Sequence, residues 1–576
     1  MIEGAKSAAP GHRPPRAEKT EAAEAPEPAG GGGLARSSIL MALGTVVSRA
    51  TGLVRNVLQA GALGTGLLAS TYNTANTVPT SLYTLLIGGA LNSVLVPQLV
   101  RARLEQPDGG RAYEQRLLTL VMCVLGAGTV LAVWAAPAIV GLYMRDTPES
   151  HDAFQLTVVF ARFLLPQILF YGLFAILGQV LNARGKFGAM MWTPVLNNVV
   201  LITMFGLYLG LMTVPDRVED ITPEQVRLLG IGTTCGIALQ ALALIPFVRA
   251  AGVRLRPRFD WRGTGLGGSV RAARWTLLFV LVNQVALAVV TNYANAADQK
   301  LPQAGAGYSA YSYAQTIWLL PQSIVTVSLV TALLPRMSRA AAEGRVADLR
   351  ADLSRALRVS GVVIVPSAFF FLAFGPQIST LLFAHGAADA ASARPLGQML
   401  QAFGLGLIPF AAQYLLLRGF YAFEDTRTPF WMATWTAAVN ITLATACHVL
   451  LPARWSVTGM AAAYTLSYAV GLLLTANVLR RRLGGRIDGR RLTRTYTRLT
   501  LASAVAAALG WFTTRTTSDA LPATLPATGT WHTALTLTSG GLVMALAYLA
   551  LTRLLRITEL SNLKLPGRSR KPPGRK

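Results

Sequence analysis

Apolar stretches of about twenty residues, each long enough to cross a bilayer as a helix, recur almost end to end along this 576-residue chain. Only 14% of its residues are charged and its mean hydropathy is +0.45, so a water-soluble fold would leave much of that apolar surface wet. Fourteen spans are expected, near 37–58, 68–99, 117–143, 154–181, 188–213, 228–248, 275–297, 308–335, 357–374, 397–417, 430–451, 457–479, 499–513 and 531–552. The chain therefore reads as an all-α polytopic membrane protein. A secreted enzyme, a soluble nucleotide-binding domain and a disordered scaffold are excluded. Residues 1–35 are rich in Ala, Pro, Glu and Gly and are expected to be a disordered tail, with no short apolar core of a secretory signal.

The net charge of +26 is not spread evenly. Alternate connections between spans, together with both tails, hold 42 of the 52 Lys and Arg, and the opposite connections hold seven. Basic loops resist translocation, so this alternation predicts cytoplasmic N and C termini. It also removes the case for a nucleic-acid partner, because the basic residues do not form one soluble face. Cys123, Cys235 and Cys447 lie inside apolar segments without metal-site spacing, and the five histidines are scattered, so neither a metal nor a cofactor is expected. Gly263–Gly268 matches GxGxxG but lies in an Arg-rich loop with no strand before it, and no GxxxxGK[ST] supports an ATP-driven pump.

The chain also repeats itself. Leu95-Val96-Pro97 closes the second span and Leu333-Leu334-Pro335 the eighth, 238 positions on; Asn182-Ala183 and Tyr421-Ala422 follow the fourth and tenth spans at a spacing of 239. A duplicated six-helix unit follows, an arrangement in which transporters place substrate between the repeats. The expected organisation is a first lobe over 36–249, a basic linker over 250–274, a second lobe over 275–482, two further spans over 483–556, and a basic tail over 557–576.

Arginine inside a span costs roughly 2.5–3.5 kcal/mol on insertion scales, so it normally faces a wet cavity, a partner or the interface. The first span carries Ser48-Arg49-Ala50-Thr51-Gly52-Leu53-Val54-Arg55, and neither it nor the second contains an acidic residue. Unpaired cations suit an anionic ligand. A diphosphate fits best, since the guanidinium fork stays charged and binds oxygens bidentately. The second span adds Asn73 and Asn76 before Pro79, with a string of Thr. Asn283, Gln284, Asn292 and Asn295 in the seventh and Tyr311, Tyr313, Gln315 and Thr316 in the eighth offer an opposing wall. Helix–helix hydrogen bonding is the bland account of these polar groups.

Taken together, these residues resemble the MurJ (MviN) family of lipid II flippases. The resemblance is carried by S-R-x-x-G-x-x-R at Ser48–Arg55, Pro79 and Pro97 in the second span, and Leu333-Leu334-Pro335. It extends to Leu181-Asn182-Ala183-Arg184-Gly185-Lys186-Phe187, and to the run from Arg418 through Gly419, Glu424 and Asp425 to Pro429. It implies the fold of the multidrug/oligosaccharidyl-lipid/polysaccharide exporter superfamily: two six-helix lobes around a cationic cavity, and two extra helices forming a groove for the polyprenyl tail. It places Arg49 and Arg55 on the diphosphate. From the polarity of the spans, Ser48, Asn73, Asn76, Gln284, Gln315 and Thr316 are the further candidate substrate contacts, and Gly52, Pro79, Pro97, Pro335, Gly419, Glu424, Asp425 and Pro429 the candidate structural or gating positions. The chain departs from the pattern where many members have an Asp at Ser70, basic residues at Tyr83-Thr84, a Glu at Gly88 and Asp-Arg at Gln315-Thr316.

The expected function is movement of lipid II, the lipid-linked peptidoglycan precursor, from the cytoplasmic to the outer leaflet of the bacterial plasma membrane by alternating access, with no bond made or broken. Membrane lipids and cell-wall synthesis proteins are the other expected partners. The alternatives are a flippase for another polyprenyl-diphosphate glycan, a cation-coupled drug exporter with Asp298 as its nearest acidic candidate, and a non-transporting scaffold for wall synthesis.

Overall fold

The computed structural model describes residues 31–88, 110–186, 188–215, 217–253, 256–260, 266–485, 487–521, 529–557 and 559. These residues contain no strand. They form fourteen helical stretches in chain order. The first lobe has α1 Gly31–Leu63, α2 Leu67–Tyr83, α3 Arg111–Trp134, α4 Pro148–Ala183, α5 Gly188–Leu211 and α6 Pro223–Ala250. In the second lobe are α7 Leu266–Lys300, α8 (Tyr308–Trp318 continuing through Val327–Ala342), α9 Val346–Phe383, α10 (Ala390–Gly404 and Leu407–Ala422), α11 Arg427–Leu450 and α12 Ala453–Arg482. α13 Gly489–Ala520 and α14 Thr530–Leu554 follow. Helix α1 begins at Gly31, five residues inside the stretch expected to be a tail.

Ten of these stretches are long and apolar enough to span a membrane, and eleven if the α10 pair, bent by 49°, is one span. Helices α1, α2 and α13 are the ones outside that set. α1 and α2 carry the intramembrane arginines and the polar string, and α13 opens with Arg490, Arg491, Arg494 and Arg498.

A smaller cluster around Leu349, Leu415, Phe420 and Leu479 joins α8, α9, α10 and α12, and two larger cores organise the bundle. One gathers buried side chains of α2–α6, from Leu67 to Val248; the other gathers those of α7–α14, with Trp318, Phe403 and Phe374 fully enclosed. α1 belongs to both. Its Ala62 and Leu63 enter the first core, whereas Ala60, Leu53 and Val57 pack on the second. α1 is thus the helix on the boundary between lobes.

The duplication is visible in irregularities as well as in helices. α2 ends in a π-helical turn, Thr84–Gly88, and α8 contains one at Gln322–Thr326, 238 positions on. α5 and α11 start and stop 239 positions apart. The fourth helix of each lobe is interrupted, after Leu164 at Leu165-Pro166 and after Gly404 at Leu405-Gly406. A proline removes one backbone donor and a π turn widens one coil, so each breaks the i→i−4 ladder locally.

Side-chain bonds fix a turn inside each lobe. Thr222 and Gln225 exchange a reciprocal pair of bonds of 2.8 and 3.3 Å around Pro223, the capping box that starts α6. In the second lobe Glu424 takes a left-handed conformation (φ 58°) after α10. Asp425 then accepts from the N–H groups of Arg427 and Thr428, both at 3.0 Å, and from the Thr428 hydroxyl at 2.7 Å, while pairing with Arg482. Pro429 sits in the first turn of α11 and Gly419 faces Leu479 of α12, where a Cβ would meet Cδ2 at 3.1 Å.

Candidate functional site

The stripe Leu53–Val57–Ala60 turns one face of α1 toward the second lobe. Arg49 lies one turn before Leu53 on that stripe, and its side chain is exposed, with no hydrogen bond or ion pair among the described residues. The opposite face is spent on packing. Gly44 lies against Trp192, and the amide of Asn198 donates to the Ser48 carbonyl at 2.9 Å and to the Thr51 hydroxyl at 3.0 Å. Ser48 and Gly52 therefore sit at the contact with α5, a Cβ at Gly52 meeting the Asn198 amide at 3.6 Å, and α1 runs through Gly52 as one continuous helix.

Arg55 is half-buried, and its Nε and Nη2 donate to Asn56 Oδ1 at 3.2 and 2.8 Å. Its electrostatic neighbours are the hydroxyls of Tyr72 on α2, Tyr171 on α4 and Tyr313 on α8, so three helices besides its own, drawn from both lobes, surround it. Neither Arg49 nor Arg55 is capped by a backbone carbonyl among the described residues.

One turn beyond Arg55 the space between the lobes closes. Gln59 Nε2 donates to Asn73 Oδ1 at 2.7 Å, and Asn73 Nδ2 donates to Ser309 Oγ at 2.8 Å, a chain crossing from α1 through α2 to α8. Thr77 shares a 2.8 Å bond with the Tyr308 hydroxyl, and Thr74 exchanges bonds of 2.9 and 3.2 Å with Asn295. Ser70 donates to the Asp298 carboxylate. Further out the seal is main chain. The Ala387 N–H donates to the Gly61 carbonyl at 2.8 Å, the Leu67 N–H to Pro302 at 2.9 Å, and the Thr65 hydroxyl to the Ser392 carbonyl at 3.2 Å. Glycine is required here: a Cβ at Gly386, which also has φ +66°, would strike the Gly61 carbonyl. Arg145 completes the seal through Asn292 at 3.1 Å. Among the described residues, every interlobe hydrogen bond belongs to this end.

Sequence reasoning expected Asn73 to meet substrate; it is buried and committed to the seal. Asn76 is half-buried beside it and makes no side-chain hydrogen bond among the described residues. Gln315 lines a cavity of about 120 Å³ inside the second lobe with Asn283, Thr436 and Asn440, and Thr316 donates back to the Ser312 carbonyl at 2.9 Å. Gln284 is half-buried, with an Oε1 that finds no partner among the described residues. Pro79 and Pro335 lie inside α2 and α8. Pro97 falls outside the described residues. His448 stacks on Tyr293, ring centres 4.4 Å apart.

A second cavity, of about 1030 Å³ and mostly apolar, opens between α9, α10, α12 and α13, with Arg480, Asp488 and Arg490 at one end. α13 and α14 touch midway, where Cβ atoms at Gly510 and Gly540 would meet each other's carbonyls at 2.6 and 2.7 Å, and beyond that contact both line a further cavity of about 370 Å³ with Trp511, Arg515, His532 and Thr536.

What sequence reasoning missed is relational. It left Asp298 without a partner, yet that carboxylate arrives at Ser70, the position where the family pattern expects an acid. Arg184, one of the basic residues of the alternating connections, is largely buried against Glu114 at 2.7 Å and donates to the Ala251 carbonyl at 2.5 Å.

Comparison with known proteins gives this geometry its relatives. The sequence profile described as "Lipid II flippase MurJ" matches residues 59–528. A "Probable lipid II flippase MurJ" of Rhizobium meliloti (strain 1021) is 30% identical over 472 residues, covering 81% of this chain and 84% of the relative. The "Lipid II flippase MurJ" of Burkholderia cenocepacia is 27% identical over 440 residues, covering 76% and 81%. Among solved structures, a lipid II flippase MurJ in an inward closed conformation superimposes with a TM-score of 0.69 at 20% identity, covering 90% of this chain and all of that one. An inward-facing multidrug transporter of the MATE family, in the MOP superfamily, gives 0.61 at 14% identity, covering 79% and 99%. On the extent of the profile match and of these relatives, the chain belongs to the MurJ family of lipid II flippases.

Proposed function

We propose that this protein carries lipid II across the membrane by alternating access between its two lobes. As a MurJ-family chain it is a multi-pass membrane transporter and not an enzyme. The observation that carries the mechanism is the asymmetry of the interlobe contacts: they seal one end, while Arg49 and Arg55 lie toward the other. Basic connections occupy that other end, so the positive-inside rule makes it cytoplasmic, together with both termini, and makes this state inward-facing.

In this reading the diphosphate enters against Arg49 and is passed to Arg55, about 9 Å of helix rise deeper. The tyrosines around Arg55 supply hydroxyl donors to the phosphate oxygens. Asn56 holds the empty guanidinium in place and is displaced by the stronger charge-assisted bonds of the ligand. The polyprenyl tail stays out of the chamber, and the apolar cleft beside α13 offers it a path. Opening the sealed end releases the head group to the outer leaflet, where polymerising enzymes of the cell wall would be the next partners. Returning an empty cationic chamber inward is favoured by the membrane potential, at about 2.3 kcal/mol per charge per 100 mV.

The test is translocation of lipid II by the purified protein in liposomes, with other polyprenyl-diphosphate glycans as competitors. Arg49→Ala and Arg55→Ala should each cut the rate at least about tenfold with expression unchanged, the loss expected when a charge-assisted contact is removed. Full activity of both variants, or preference for a competing glycan, would overturn the reading.

A further inference from the structure

We propose that Asp298 is the positioning residue that latches the two lobes at the sealed end, and that its grip on Ser70 must be released for that end to open. The inference rests on the alternating-access reading above.

Asp298 lies in the last turns of α7, and Gly307 precedes the first residue of α8 without offering a side-chain cap. The carboxylate takes over that duty: Oδ2 accepts the Tyr308 N–H at 3.0 Å. Gly307 has to be glycine for this, because a Cβ there would overlap the carboxyl group. The same oxygen accepts the hydroxyl of Ser70, which comes from α2 in the other lobe. Ser70 Oγ in turn accepts the Ser309 N–H at 2.9 Å. One carboxylate and one hydroxyl therefore satisfy the first donors of α8, and half of the arrangement comes from each lobe. The positive end of the α8 dipole favours a negative charge at this spot.

The latch is also built to let go. Asp298 is 1% exposed and Ser70 0%, and Asp298 Oδ1 is buried with no hydrogen-bond partner among the described residues. A buried carboxylate oxygen without a donor forgoes hydration, and parting the lobes restores it. Closure is held by two bonds and opposed by one unpaid hydration, which suits an element that must alternate between states.

Ser70 and Asp298 face each other, so exchanging them preserves one hydroxyl and one carboxylate across the seam. An Asp at 70 would reach the Ser309 and Tyr308 N–H groups from the first lobe. The experiment uses the full chain in liposomes, with Cys123, Cys235 and Cys447 replaced by Ala and a cysteine pair introduced at Gly61 and Ala387. The cross-linked fraction after oxidation reads closure of the seal, and lipid II movement is followed in the reduced protein. Asp298→Ala and Ser70→Asp should each lower both readouts about tenfold, the first by removing the bonds and the second by apposing two carboxylates. Ser70→Asp with Asp298→Ser should bring both back to within about threefold of the parent. Asp298→Asn, close to isosteric and suited to the case in which Asp298→Ala fails to accumulate, should keep cross-linking high and slow transport. A double exchange no better than the worse single change, or Asp298→Asn indistinguishable from the parent in both readouts, overturns the proposal. Cross-linking does not depend on which lipid is carried, so failure of the substrate reading alone would leave the rescue of closure intact.

Discussion

Glu114 and Arg184 show what a single buried pair does in the first lobe. Their side chains are 6% and 12% exposed, and Arg184 joins α4 to α3 and to the end of α6. Removing one partner strands the other charge in a dry place, a change that costs about 3–5 kcal/mol. Glu114→Gln or Arg184→Ala should therefore lower the thermal midpoint markedly in detergent, and Glu114→Leu with Arg184→Met should recover most of the loss. Asp425 makes a pH-dependent counterpart in the second lobe. Burial acts to raise its carboxyl, but the Thr428 N–H and hydroxyl and the Arg482 guanidinium more than offset this, leaving its pKa below the ordinary value. Its contribution is thus fully present above the ordinary carboxylate range and is lost as pH falls through the depressed value. The midpoint difference between the parent and Asp425→Asn should be constant from pH 7 to 5 and shrink toward pH 3. At this scale the sequence exposes Arg49 and Arg55, because a charge in an apolar run stands out. It conceals Asp298, whose partner is 228 positions away and reaches it only through the packing of two lobes.

Helices were legible wherever apolar length decided the matter. The second and eighth spans carry internal prolines and polar residues and the thirteenth is short; α8 is nonetheless long and apolar enough to cross through Gln322–Ala342, whereas α2 and α13, with α1, are not, and tertiary contacts place them instead. Breaks inside helices were not legible. Nothing in the local sequence distinguishes Gln322–Thr326, which forms a π turn, from a regular α-helical turn. Deleting one residue from that turn would restore a regular helix and rotate everything beyond it by about 100° relative to Tyr308–Trp318. The protein should still accumulate in the membrane, while lipid II movement in liposomes should be lost. The α13–α14 pair makes a separate prediction. Gly510 and Gly540 let two backbones touch, so Gly540→Val should separate the helices, lower the thermal midpoint, and leave cross-linking of the lobe seal unchanged.

Across the whole molecule, the repeat found as two short matches extends to paired π turns, paired breaks in the fourth helices, and equal fifth helices. The direction of the open end was not in the sequence, since closure depends on which ends of the lobes meet. A cysteine pair at Gly61 and Ala387, once oxidised, should arrest transport, and reduction should restore it. A pair that forms readily without affecting turnover would show that this end does not need to open.

The outermost layer of that seal is written in carbonyls and amides of Gly61, Leu67, Pro302 and Ala387. Peptide groups are common to all residues, so most side-chain exchanges along this rim would leave its shut form standing. Vulnerability concentrates instead where the backbone has no room to spare, at Gly386 and Gly305, whose positive φ and crowded surroundings admit nothing larger. A compound or substitution that fills either notch would prop the rim ajar without touching any group that handles cargo.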